Sequence, residues 1–148
     1  MYPVVLLLHS FLRWVAILLG VWAVVSVLPS RQRFGRPVST LPRLLFTTAL
    51  DVQLLAGLLL YGALSPITTA AMRDMGAAMK NGAWRFWAVE HPLLMILAVA
   101  FAHIARPRRA RAEHGRRTVV WLALALLAIL LATPWPFMPQ GRPWIRGW

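Results

Sequence analysis

Two histidines sit where a charged or polar ring is least expected. His9 lies in a run that is apolar from Val4 to Leu28, and His91 in another from Phe86 to Ala105. Each stands five residues inside its run, which is about 8 Å along a helix. Where the two runs cross a membrane in the same direction, both imidazoles reach one depth. Imidazoles from two helices at one depth make the axial ligand set of a b-type haem, which ring nitrogens and packing hold without a covalent link. The chain has no cysteine, which removes c-type haem attachment, iron–sulfur ligation, thiol catalysis and disulfides. The competing reading is structural: each ring donates a hydrogen bond to a neighbouring helix or sits wet at the interface. Ala16 and Gly20 lie deeper than His9 on roughly its face, and Ala98 and Ala102 do the same below His91. Such small residues leave room for a macrocycle or line ordinary helix contacts.

Other ionisable groups in the apolar runs mark further functional positions, because each is costly in lipid. Arg13 follows His9 by four residues and shares its face one turn deeper. Asp51 falls near the middle of the run from Pro42 to Leu64, and Glu90 directly precedes His91. Arg13 paired with Asp51 or Glu90 would clamp two helices. In the functional alternative Arg13 tunes a haem by its charge, and Asp51 and Glu90 handle protons beside a quinone. His103 is twelve residues beyond His91, about 120° round an ideal helix, and reads as a side chain snorkelling to the interface. Pro92 either removes a helical hydrogen bond or occupies a first turn, depending on where its helix begins. Met72, Met75 and Met79 recur at helical spacing beside Arg73, Asp74 and Lys80, which predicts a short helix lying on the membrane surface. A thioether site for Cu(I) is the alternative there.

The elements that must position these groups can be read from composition. The 148 residues are 59% hydrophobic and 14% charged, with a mean hydropathy of +0.64, outside the range of soluble globular domains. Four long apolar runs, about 4–28, 42–64, 86–105 and 118–133, predict an all-α integral membrane four-helix bundle in one transmembrane domain. The opening run has neither a basic leader nor a small-residue cleavage site, and reads as a retained helix. The fourth run stops at Pro134-Trp135-Pro136, which opens a proline- and tryptophan-rich tail over 134–148.

The formal charge of +12 comes from 16 basic against 4 acidic residues. Arg31, Arg33, Arg36 and Arg43 crowd the first connection, and Arg106, Arg108, Arg109, Arg111, Arg116 and Arg117 the third, with Glu113 and His114. Placed between spans, these arginines orient the chain and touch anionic lipid rather than nucleic acid. The positive-inside rule puts both connections in the cytoplasm and both termini on the outer, periplasmic side of a bacterial inner membrane. Arg142 and Arg146 in the tail run against that bias. Trp84, Trp87, Trp135, Trp144 and Trp148 then fall near the outer boundary, where indoles favour the interface. No nucleotide loop, nucleophile–base pair or zinc motif is present, so no stand-alone enzyme is expected.

The segments His9-Ser10-Phe11-Leu12-Arg13-Trp14, Gln53 to Tyr61, Glu90-His91 and Pro134-Trp135-Pro136-Phe137 resemble a family of small bacterial four-helix membrane proteins labelled cytochrome b-like. The resemblance implies an integral b-haem electron carrier or a redox-complex subunit, with His9 and His91 at the family's first- and third-span histidines. The sequence departs from it where such proteins often carry a histidine before the second-span glutamine: here Asp51 precedes Val52-Gln53. The expectation is one haem b on His9 and His91, with Arg13 beside it, passing electrons between a quinol or membrane dehydrogenase and an outer-face acceptor. The alternative is a non-catalytic accessory subunit that packs against a larger respiratory or photosynthetic complex and binds lipid or pigment at its tryptophan-rich rim.

Overall fold

The structure, a computed structural model, describes residues 1–28, 40–105 and 116–144, and these are helical apart from turns and a short tail. The arginines at 31, 33, 36, 106, 108, 109, 111 and 146, with Glu113, His114 and Trp148, lie outside the described residues. Helix α1 is Tyr2–Ser26. Helix α2 is Leu41–Leu59 and runs on through a π-helical turn at Leu60–Leu64. Three short helices come next: α3, Pro66–Arg73; α4, Met75–Lys80; and α5, Gly82–Arg85. A second π-turn, Phe86–Glu90, leads into α6, His91–Ile104, and α7 is Arg116–Ala132.

Three stretches, Tyr2–Ser26, Leu41–Leu64 and Gly82–Ile104, are long and apolar enough to cross a membrane. Helix α7 has 17 residues, about 25 Å of rise, against a hydrocarbon core of about 30 Å. The apolar runs form helices because a segment in lipid must satisfy its own backbone. Proline opens several of them at a first-turn position where its missing N–H is harmless, as at Pro42 and Pro66. The surface helix expected through Met72, Met75 and Met79 is instead two helices. Asp74 interrupts it, and its Oδ1 accepts the Ala77 N–H at 2.9 Å as the cap of α4. All three methionines are exposed.

Helices α1 and α2 pack together, as do α6 and α7, and the contacts of α2 with α6 and of α1 with α7 close the ring. Its core joins Phe46, Leu50 and Leu122 to a series of fully buried alanines that let the backbones approach closely. Gly20 belongs to this core: a Cβ there would stand 2.9 Å from Phe46 Cε2 and 3.0 Å from Leu126 Cδ1. Ala98 and Ala102 are buried in the same cluster. Helix packing therefore takes up all four of the small residues that the sequence offers as space for a macrocycle, and of these only Ala16 also borders the histidine cleft.

Replacing Gly20 with leucine is expected to destabilise the fold by about 1–3 kcal/mol through overpacking. Thermal melting of the helical signal in detergent checks this, with Gly62→Ala, where a Cβ meets nothing within 4 Å, as the control that does not lower the midpoint.

Candidate functional site

His9 on α1 and His91 at the start of α6 come together. Their ring centroids are 6.3 Å apart and the planes are inclined at 70°. Two metal–imidazole bonds of about 2 Å, added to the half-widths of two rings, span about 6 Å. His91 Nδ1 lies 2.8 Å from the Ala132 carbonyl oxygen at the end of α7. A carbonyl only accepts, so Nδ1 carries the proton and Nε2 keeps its lone pair for a ligand. His9 is held by Gln53, whose Nε2 donates to the His9 carbonyl at 2.9 Å and sits 3.4 Å from His9 Nε2. The second contact is long for a hydrogen bond. His9 Nδ1 is buried without a partner. Gly57 backs this ring: a Cβ there would stand 3.2 Å from His9 Cε1.

Both imidazoles line a cleft that also receives Arg13, Gln53, Met95 and Arg142. Its volume is about 90 Å³, and it opens to the outside. Three buried polar atoms of its lining, His9 Nδ1, Arg13 Nε and Gln53 Oε1, have no hydrogen-bond partner. Buried polar groups are paired in most folded proteins, so three unpartnered polar atoms around one cleft leave it hydrogen-bonding capacity that the protein itself does not use. The tail reaches the cleft by folding back over α1. Trp14 Nε1 donates to the Trp144 carbonyl at 3.0 Å, and Trp14 stacks on Trp144 and meets Trp135 edge-on. Trp135 and Trp144, two of the tryptophans expected near the outer boundary, thus pack on Trp14 and on each other, and Trp144 remains exposed.

The backbone before His91 is irregular for a reason. The helix begins at Gly82, so Pro92 stands well inside it and has no N–H for the Ala88 carbonyl one turn earlier. The Tyr61 hydroxyl donates to that carbonyl at 2.9 Å, from within the π-turn that ends the α2 span. π-Turns concentrate at functional sites, and here one carries Tyr61 while the other, through Phe86 and Trp87, packs two aromatic rings against His91.

Asp51 and Glu90 do not pair with Arg13. Glu90 Oε1 accepts from Arg85 Nε at 2.7 Å. Asp51 Oδ1 lies 2.9 Å from His103 Nε2, so His103 is a hydrogen-bonding partner rather than a lone snorkelling side chain. This contact sets Asp51, near the middle of its own span Leu41–Leu64, level with the last turn of α6. Both pairs are half-exposed, far from the histidine cleft along α6 in the case of Asp51 and His103. Arg13 instead stacks over Trp14, 5.1 Å from its centroid. Among the described residues no group of three or more histidine, cysteine and acidic side chains gathers into a metal site, so any metal here rests on the imidazole pair.

Sequence reasoning placed the two histidines and Arg13, and missed Gln53 and Arg142 as cleft residues. Gln53 is a polar side chain inside an apolar run, a signal that was legible; Arg142 sits in a tail without periodicity. Protein-family models, curated proteins and solved structures offer no match to the chain, and its function is argued from this geometry.

Tyr61→Phe leaves the Ala88 carbonyl without its donor and is expected to cost about 1–3 kcal/mol, read by thermal melting in detergent. A double-mutant cycle with Asp51→Asn and His103→Gln is expected to give a coupling of about 0.2–1 kcal/mol, as for other half-exposed pairs. Asp51→Asn and His103→Gln should leave ligand binding at His9 and His91 unaltered.

Proposed function

We propose that the chain is a membrane-embedded electron carrier that holds one haem b between His9 and His91. The observation that carries this reading is the imidazole pair, 6.3 Å between centroids, with one ring locked in the tautomer that frees Nε2. The residues fit the group. His9 has an unpartnered nitrogen, Gly57 lets its ring pack closely against α2, and the His91 Nδ1–H bond to Ala132 orients the second ligand as metal-binding histidines require. The cleft, about 90 Å³, is smaller than a macrocycle, so a haem would extend beyond it through its open side.

A bound haem supplies one-electron chemistry at an iron whose potential the protein sets through axial ligands, burial and nearby charge. The chain's own contribution is positional and electrostatic. Ala132 fixes the His91 ring, Gln53 holds the His9 backbone carbonyl, and Phe86 and Trp87 pack against the His91 ring. Arg13 places a positive charge in the cleft, which favours the more electron-rich state of whatever occupies it.

The same reading makes the chain a four-helix bundle in a bacterial inner membrane, with α7 as the fourth span and both termini on the outer side. The support is the excess of arginine in the first and third connections. Electrons would then pass between a quinol or membrane dehydrogenase and an acceptor near the outer face, within a larger membrane assembly.

The test is a reduced-minus-oxidised absorbance spectrum of protein purified in detergent after expression with haem. The expected result is a b-type band that His9→Ala and His91→Ala each abolish while the helical circular dichroism persists. No band in the parent protein, or a band that survives either substitution, overturns the reading.

A further inference from the structure

Of the cationic side chains in the described structure, two share the cleft and no acid. Arg13 and Arg142 both line it, and neither takes part in the described salt bridges, which join Arg85 to Glu90 and His103 to Asp51. Each guanidinium lies on an indole instead, Arg13 over Trp14 at 5.1 Å and Arg142 over Trp87 at 5.3 Å. No aspartate or glutamate lines this largely apolar cleft, so an anion entering it would meet two guanidinium donors and no competing carboxylate. The unpartnered Arg13 Nε is a donor waiting for such an acceptor.

The tail is built to deliver the second charge. The Gly141 N–H donates to the Met138 carbonyl at 2.8 Å, and the Arg142 N–H to the Pro134 carbonyl at 3.0 Å. A Cβ on Gly141 would collide with the Trp135 carbonyl oxygen and stand 2.7 Å from that of Met138. Three backbone carbonyls close round this position, so only glycine lets the turn form and carry Arg142 back to the cleft.

We propose that Arg13 and Arg142 form an anion site that takes the acidic groups of the molecule held in the cleft. Guanidinium forks bind carboxylate and phosphate alike. On the haem reading, on which this inference rests for its first source, the anions are the two carboxylates of haem; the second source is the phosphate of a membrane lipid reaching into the open mouth.

The experiment titrates the apo full-length protein, in nanodiscs of zwitterionic lipid, with hemin and with hemin dimethyl ester, which has the same iron and ring but no carboxylate. Binding is read from the Soret band. The expected result is at least tenfold tighter binding of hemin. Arg13→Gln and Arg142→Gln should each erode that preference, Arg142→Lys should restore part of it, and Gly141→Ala should imitate Arg142→Gln. Equal affinity for hemin and its ester in the parent protein, with a normal b-type band, overturns the carboxylate source but leaves the haem reading standing. Binding of neither porphyrin overturns the haem reading. Native mass spectrometry in nanodiscs doped with phosphatidylglycerol supplies the other arm: a lipid retained by the parent and lost in both glutamine variants supports the anion site with phosphate as its ligand. No preference for hemin together with no retained lipid overturns the anion site itself.

Discussion

Every polar side chain placed in an apolar helix has to find its partner within the protein, because lipid offers none. That constraint sorts the unusual residues of this chain. Asp51 is answered by His103, Glu90 by Arg85, Tyr61 by the carbonyl that Pro92 leaves open, and His91 by the end of α7. The unanswered groups are concentrated in one place: a histidine nitrogen, an arginine nitrogen and an amide oxygen round a single cleft. The polar atoms left without a protein partner gather at the same cleft as the two imidazoles, and the proposed ligand would be held there.

The path of the backbone serves the same end. The two π-turns flank the cleft, one on the α2 span at Leu60–Leu64 and one before α6 at Phe86–Glu90. Each adds a residue to the local turn and shifts the register of the residues beyond it. In the second span this brings Tyr61 across to the third. In the third it sets His91 facing His9, where the aromatic residues of the turn enclose it. Proline, π-turn and tyrosine hydroxyl act together, since the carbonyl freed by Pro92 gives Tyr61 its acceptor. Opposite, Gly20 lets α1 close on Phe46 and Leu126, and Gly57 leaves the His9 ring its place.

The helical class and the meeting of His9 with His91 were legible in the sequence, because equal spacing from the starts of two long apolar runs translates into equal depth. The partners of the acids were not. Their depths had to be counted from span ends, and α2 and α6 are offset along their axes, so Asp51 meets the last turn of α6 rather than Arg13. The small residues near the histidines misled for a related reason: Gly20, Ala98 and Ala102 lie on roughly the right faces, but neighbouring helices fill the space beside them. The tail was unreadable by periodicity, since a turn with proline at 134, 136, 139 and 143 repeats no helical pattern. Its return to the cleft depends on tryptophan contacts and on Gly141, neither of which has a distinctive spacing.

The central claim is that one imidazole from α1 and one from α6 ligate the same iron. Electron paramagnetic resonance of the ferric, haem-loaded protein tests it most directly. Ligation by both rings predicts a low-spin spectrum with nitrogen couplings from two histidines in the parent protein, and replacing either His9 or His91 removes that low-spin signal. A high-spin spectrum from the parent protein, or two histidine couplings that persist in either variant, would contradict it.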